Sequence, residues 1–147
     1  MVAETYFGHV GSVLMNLGML YVETGRLQEG VNRMERALAD LTEAGNRGLE
    51  SLAHSELANA YRQLGRTAEA IRWARSALKI SREVRDPYQE AAALEALGQA
   101  FLAAADLDQA HSCLATAYAQ ASSLGIPEAT QIKASLDALS ATGSEPH

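Results

Sequence analysis

The stretch LANAYRQLGRTAEA, residues 57–70, decides the fold because altered copies of it stand forty residues away on either side. The earlier copy is LGMLYVETGRLQEG at 17–30, and the later copy is LGQAFLAAADLDQA at 97–110. A leucine opens each copy, a small residue follows it, and an aromatic residue stands four places after the leucine. A chain that repeats at a fixed period of this length is built from stacked copies of one supersecondary unit.

Six alignment columns keep their residue type over the three copies. They are Leu17/Leu57/Leu97, Gly18/Ala58/Gly98, Tyr21/Tyr61/Phe101, Gly25/Gly65/Ala105, Gly30/Ala70/Ala110 and Ala37/Ala77/Ala117. Within the middle copy, Leu57, Tyr61 and Leu64 recur at helical spacing, and Gly65 ends the helix because glycine adopts the left-handed conformation at little cost. Small apolar residues across 70–78 form a second helical stripe. Each copy therefore predicts a helix A, a short turn and a helix B, with small residues where the two helices approach.

The sequence also contains signals for the starts of helices. Asp86 followed by Pro87 and Gln89 predicts an N-terminus with a capping box, and Asp106 with Gln109 predicts a second one. The predicted helices are 6–23, 27–44, 47–64, 67–85, 87–104, 107–124 and 127–140.

These columns resemble the tetratricopeptide repeat (TPR) motif, which has a small residue at position eight, an aromatic at eleven, glycine near fifteen, and alanines at twenty and twenty-seven. The matching residues are Gly18, Tyr21, Gly25, Gly30 and Ala37, then Ala58, Tyr61, Gly65, Ala70 and Ala77, then Gly98, Phe101, Ala105, Ala110 and Ala117. The period of forty departs from the usual thirty-four, and Leu14, His54 and Leu94 replace the early tryptophan of the motif. The period also suits HEAT repeats, but the small-residue columns favour the tetratricopeptide type.

Repeats of this length resemble those of kinesin light chains, bacterial peptide-sensing regulators and large actinobacterial regulatory ATPases. The ending SLGIPEATQIKASLDALSA, residues 123–141, is most similar to the closing repeat of the actinobacterial group. The resemblance implies a C-terminal repeat region of a transcriptional or signalling regulator.

The expected fold is all-α, a right-handed α-solenoid of three helix-turn-helix repeats closed by a C-terminal capping helix. The expected division is an N-terminal extension at 1–5, repeats at 6–45, 46–86 and 87–126, a capping helix at 127–140 and a disordered tail at 141–147. In the capping helix, Ile132, Leu136 and Leu139 form one apolar stripe that is expected to cover the third repeat.

Composition limits the function. The net charge of −6 opposes binding to nucleic acids and to anionic membranes. No long apolar run or signal peptide is visible, so a cytoplasmic location is expected. The single cysteine, Cys113, is expected to be a small buried residue. Histidines His9, His54, His111 and His147 form no ligand-spaced set, so we expect no metal, no cofactor and no enzyme activity.

The inner face of such a solenoid is lined by the A helices. The candidate partner-binding residues on that face are Met15, Met19, Ser55, Asn59, Arg62, Glu95, Gln99 and Leu102. Asn59 and Gln99 stand where related families place an amide that holds a peptide backbone, since an amide offers a donor and an acceptor together. Arg62 is expected to pair with an acidic group, and Met15 and Met19 to supply adaptable apolar contacts. The alternative is that these are ordinary residues of an exposed helix face.

The first helix is apolar on most of its sides. Its candidate self-association residues are Tyr6, Phe7, Val10 and Val13. A helix of this kind requires a second neighbour. That neighbour is expected to be a preceding repeat, which makes the chain the C-terminal part of a longer protein, or else another copy of the chain.

Three further side chains have simple expected roles. Trp73, the only tryptophan, is expected to fill the space that Ala74 leaves between helix pairs. The acidic residues Glu50 and Glu56 are expected to lie on solvated faces, and Asp106 to cap a helix.

Overall fold

Seven consecutive helices form the described part of the computed structural model, which covers the backbone of residues 2–143 and the side chains of residues 11–141. They are α1 (Val2–Glu23), α2 (Leu27–Glu43), α3 (Arg47–Gln63), α4 (Thr67–Glu83), α5 (Pro87–Ala103), α6 (Leu107–Leu124) and α7 (Glu128–Gly143). The expected α-solenoid is confirmed. Residues 2–5, expected as an extension, continue α1 because no proline or glycine interrupts them, and α7 continues to Gly143 rather than ending at 140. Of the expected tail, residues 144–147 lie outside the described part.

The same turn joins the helices every twenty residues. The residues with positive φ are Gly25, Gly45, Gly65, Arg85, Ala105 and Gly125. At each of these turns the next N–H donates to the carbonyl five residues earlier, as from Arg66 to Tyr61 at 2.9 Å. This is the Schellman arrangement, which satisfies the last carbonyls of a helix. Arg85 at φ 56° and Ala105 at φ 61° adopt the left-handed conformation without being glycine.

The predicted capping boxes are only half formed. Asp86 Oδ1 accepts the N–H groups of Tyr88 and Gln89, each at 3.1 Å, as a cap should. The Gln89 side chain does not return a bond, because the Asp86 N–H already donates to the Ser81 carbonyl in the preceding turn. Asp106 caps α6 with a single bond, accepting the Gln109 N–H at 3.2 Å. The short turn therefore uses the donor that the capping box would need.

Small residues stand where helices touch, as the repeat columns predicted. A Cβ atom built on Gly18 would lie 2.6 Å from Met34 Cγ, and one on Gly98 would lie 2.7 Å from Leu114 Cγ. Contacts this close leave no room for a larger side chain. The helices of a pair can therefore approach closely only because these positions lack side chains.

Trp73 connects neighbouring parts of the core, as expected. Its ring stacks on that of Tyr61 with centroids 6.2 Å apart, and His54 meets it edge-on at 5.0 Å. The side chain contacts both the hydrophobic cluster around Leu57 and the cluster around Phe101. Trp73 thus packs within the middle repeat and against the cluster that this repeat shares with the third.

Helix α7 closes the C-terminal side of the third repeat. Ile132 is fully buried, and Leu136 and Leu139 are half-buried against the cluster that contains Leu114. Lys133 and other polar residues of α7 remain exposed. The amphipathic packing expected of this helix is observed.

Glu50 corrects one expectation. Its side chain is buried, with a relative exposure of 4% for the residue, rather than solvated. Arg47, one helical turn earlier, pairs with it at 2.9 Å and with Glu83 of α4 at 2.6 Å. The carboxylate can be buried because its counter-ion lies on the same helix.

Candidate functional site

An open groove of about 900 Å³ runs along one side of the solenoid. Its described lining residues come from α1, α3, α5 and α7 and from the turn before α7, and none comes from α2, α4 or α6. Stacked helix pairs curve so that the first helix of each pair faces inward. Helix α7 continues this series, so it is a wall of the groove as well as a cap.

Most of the predicted partner-binding residues are brought together in this groove. Those that line it are Met19, Ser55, Asn59, Arg62, Glu95 and Gln99. Met15 does not, because it is buried in the core cluster with a relative exposure of 2%. Leu102 also does not, because it packs against the cluster around Phe101. Both side chains are apolar, so burial against a neighbouring helix is more favourable than exposure in an open groove.

Each wall of the groove contributes one glutamate: Glu23, Glu56, Glu95 and Glu128 lie on or at the end of α1, α3, α5 and α7. Burial raises the pKa of Glu56, and Glu23 raises it further. Burial also raises the pKa of Glu95. The negative charges of Glu128 and Glu56 raise this pKa further, and the positive charge of Arg62 lowers it. A buried carboxyl group loses the water that stabilises its charge, and nearby like charges add to that cost.

These four carboxylates make no ion pair or hydrogen bond with any other described side chain. Arg62 is the only cationic residue among the described residues that line the groove. Several glutamates outside the groove are paired with an arginine, as Glu69 is with Arg66 at 2.6 Å. The groove is therefore a region of uncompensated negative charge.

Three buried polar atoms of the groove have no hydrogen-bond partner: Ser55 Oγ, Arg62 Nε and Gln89 Oε1. Ser55 is the most deeply placed, with a relative exposure of 2%. A buried polar group without a partner costs free energy, so these three atoms retain unused hydrogen-bonding capacity beside the groove.

The two candidate amides differ in their surroundings. Gln99 Nε2 donates to Ser135 Oγ of α7 at 3.1 Å, which orients the amide and leaves its carbonyl oxygen available. No hydrogen bond within the described residues engages the side chain of Asn59. Asn59 therefore retains both its donors and its acceptor.

Sequence reasoning missed part of the groove. Glu56, Tyr88 and Gln89 line it, as do Glu128 and Ser135 of the α7 wall. One signal for Ser135 was present, since the column of Ser55 and Glu95 continues to it at the same interval of forty. The contribution of α7 was missed because the helix was interpreted only as a cap.

The predicted self-association surface lies on α1. The side chains of Tyr6, Phe7 and Val10 lie outside the described residues. Val13 is 59% exposed and Leu20 is 54% exposed. The equivalent residues of the later repeats, Ala53, Ala93, Ala60 and Ala100, are fully buried. The first repeat thus leaves exposed, with larger side chains, positions that the other repeats cover.

The remaining features concern His54, Cys113, metal binding and membrane crossing. Burial lowers the pKa of His54, and the charge of Arg47 lowers it further. Burial raises the pKa of the Cys113 thiol although Arg75 and Arg82 oppose it, which disfavours the reactive thiolate. The described residues contain no group of three or more side chains able to hold a metal ion. None of the described helices combines the length and the apolar character that a membrane crossing requires.

Comparison with protein families gives a match over most of the chain. The family described as tetratricopeptide repeat matches residues 9–83 and 49–123. No curated protein matches the chain.

Solved structures share the architecture. The apo form of RapI has a TM-score of 0.83 and 14% identity, over 93% of this chain and 38% of RapI. A tetratricopeptide repeat domain of Spaghetti (RPAP3), bound to the HSP90 peptide SRMEEVD, has a TM-score of 0.71 and 20% identity, over 94% of this chain and 96% of that domain. A signal transduction ATPase with numerous domains (STAND) from Pyrococcus horikoshii, which has a tetratricopeptide repeat sensor, has a TM-score of 0.73 and 23% identity, over 92% of this chain and 21% of the ATPase. The chain thus spans well under half of RapI and of the ATPase.

Proposed function

Because the chain belongs to the tetratricopeptide repeat family, we propose that it is a non-catalytic module that binds a protein or peptide in the groove between α1, α3, α5 and α7. Repeats of this family are generally protein–protein interaction modules, and their fold is generally a scaffold without catalysis. The observation that carries the proposal is that polar groups on the inner helices have unused hydrogen-bonding capacity, above all Ser55 and Asn59.

An extended peptide suits these groups. The Asn59 amide can donate to and accept from a peptide backbone at once, whatever the peptide side chains are. Gln99, oriented by Ser135, offers its carbonyl oxygen to a backbone N–H further along the groove. Met19 adds an adaptable apolar contact at the α1 end.

The proposed setting is the C-terminal regulatory part of a larger, cytoplasmic signalling or transcriptional regulator. Support comes from the resemblance of residues 123–141 to the closing repeat of actinobacterial regulatory ATPases. The similarity to a STAND ATPase with a tetratricopeptide repeat sensor is in line with it, since the chain spans 21% of that protein. The net charge of −6 supports a partner that is neither a nucleic acid nor an anionic membrane.

The test is selection from a random peptide display library. Peptides enriched on the wild type are then titrated by calorimetry against an Asn59→Ala, Gln99→Ala double variant. We expect the affinity to fall at least about tenfold, as loss of hydrogen bonds in a desolvated site implies. Gln28→Ala removes an exposed amide on α2, outside the groove, and should change nothing. Failure to enrich any peptide, or equal binding by the double variant, would contradict the proposal.

A second candidate function is self-assembly through the N-terminal face of α1. It is favoured by the exposure of Val13 and Leu20 at positions whose equivalents in later repeats are buried. Light scattering after size exclusion should then show concentration-dependent association of the 15.7 kDa chain. Val13→Glu should abolish it, whereas Leu107→Glu, at another exposed apolar residue, should not. A monomer at all concentrations would rule this function out.

A further inference from the structure

The groove carries a net negative charge. Four glutamates, one from each wall, face a single guanidinium, that of Arg62. Arg62 attracts Glu95 and so lowers the pKa that burial and the other carboxylates raise. Its charge is thus partly used within the groove, and an acidic segment of a partner would meet a net negative surface. This argues against the expectation that Arg62 binds an acidic group.

Outside the groove, three glutamates that are buried or half-buried, Glu50, Glu69 and Glu90, each have an arginine partner. Arg47, for example, pairs with the buried Glu50 on its own helix and with Glu83 on the next helix. In the groove, Glu56 and Glu95 are partly buried without such a counter-ion. A carboxylate in this state gains most from a cation supplied from outside.

The uncharged groups of the groove point to the same ligand chemistry. Ser55 Oγ is fully buried and has no partner, and Gln89 Oε1 is a buried acceptor without a donor. With the four carboxylates, they make the groove a surface rich in hydrogen-bond acceptors. Lysine and arginine side chains carry only donors, three and five N–H bonds respectively. They match such a surface in both charge and hydrogen bonding.

We infer that the occupant of the groove is an extended peptide segment with several lysine or arginine side chains, which pair with Glu56, Glu95 and their neighbours. This inference rests on the proposed peptide-binding function and adds to it the chemical class of the partner. The open shape of the groove suits a long segment rather than an enclosed small molecule. The walls α3 and α5 pack against each other, and the axes of packed helices lie about 8–10 Å apart. A polyproline II segment advances about 3.1 Å per residue with three residues per turn, so every third side chain can reach the next wall.

The experiment uses a ten-residue peptide with lysine at every third position and uncharged residues elsewhere. Two further peptides carry glutamine or glutamate in place of every lysine. Calorimetric titration at 50 and 300 mM NaCl compares the wild type with a Glu56→Gln, Glu95→Gln double variant. The matched control is Glu43→Gln, which removes an exposed carboxylate at the end of α2, outside the groove. These substitutions remove charge while keeping size.

The wild type should bind the lysine peptide at least about tenfold more tightly than the glutamine or glutamate peptide, as charge-assisted hydrogen bonds imply. The double variant should bind the lysine peptide about tenfold more weakly than the wild type does. The control should keep its affinity, and 300 mM salt should weaken binding. Glutamine or glutamate peptides that bind as tightly as the lysine peptide would overturn the inference. So would an equal loss in Glu43→Gln, which would indicate general charge attraction, or spermine binding as tightly as the peptide, which would indicate a small cation as the occupant.

The two proposals fail in different ways. Peptides from the display selection that bind the groove but carry no basic residues would overturn the charge class and leave peptide binding intact. If the selection yields no groove binder and the lysine peptide does not bind, both proposals are wrong.

Discussion

Replacing Ala105 by glycine should stabilise the protein, although glycine usually destabilises. Ala105 ends its helix at φ 61°, in the left-handed region, and its side chain is exposed. An L-residue with a Cβ atom pays about 1–2 kcal/mol there. Glycine removes that strain but adds about 0.5–1 kcal/mol of backbone entropy that must be lost on folding. The net expectation is a gain of about 0.5–1 kcal/mol.

The matched control is the adjacent residue. Ala104 is exposed too, but it lies in the right-handed region at φ −81° and ψ 0°. Ala104→Gly therefore relieves no strain and should cost about 0.5–1 kcal/mol. The same chemical change at neighbouring positions should thus have opposite signs. Arg85→Gly, at φ 56°, should behave like Ala105→Gly.

Thermal unfolding followed by circular dichroism at 222 nm provides the assay. For a chain of this size, 1 kcal/mol shifts the unfolding midpoint by about 2–4 °C. Ala105→Gly should raise the midpoint and Ala104→Gly should lower it. If both variants shift it in the same direction, backbone strain at the turn is not what separates the two positions.

Three other changes test other parts of the structure. Gly98→Ala places a Cβ atom 2.7 Å from the buried Leu114 Cγ and should lower the free energy of unfolding by about 1–3 kcal/mol, measured from urea midpoints; an unchanged midpoint would mean that Leu114 can move aside. Burial lowers the pKa of His54 below 6.5, so the unfolded chain takes up the proton first. Stability should therefore fall as the pH drops below 6.5, and His54→Gln should flatten this dependence in unfolding followed by Trp73 fluorescence. Burial raises the pKa of Glu95 above 4.5, so the unfolded chain loses the proton first and stability falls as the pH rises above 4.5. Glu95→Gln should thus stabilise the protein at pH 7, with a difference that shrinks towards pH 4.5; a difference independent of pH would contradict this.

A few consecutive residues of the sequence were sufficient to predict most of the helix ends. The Schellman turns at Gly25 and Gly65 and the cap at Asp106 each depend on a few consecutive residues. Their backbone preferences act over one turn, so they can be recognised without the rest of the fold. The capping box at Gln89 failed for a reason that is nearly local, since the required N–H belongs to the preceding turn as well.

The alignment of the repeats also predicted which small residues bring helices together. Gly18 and Gly98 share a column, and both lie where an added Cβ atom would overlap a neighbouring side chain. The column predicted the contact because each repeat must stack on its neighbour with the same geometry. The same reasoning placed Asn59 on the inner face, where the groove contains it.

Only the tertiary structure decided the electrostatic character of the groove. Glu56 and Glu95 are ordinary acidic residues in the sequence, and Glu128 belongs to a helix interpreted as a cap. Folding brings the three together from separate helices, buries Glu56 and Glu95 in part and leaves both without an ion pair, whereas Glu50 is buried beside Arg47. The periodicity of a sequence reports the direction in which a side chain leaves its helix. The charge and the desolvation around that side chain are sums over every helix that approaches it, and those distances exist only in the folded chain.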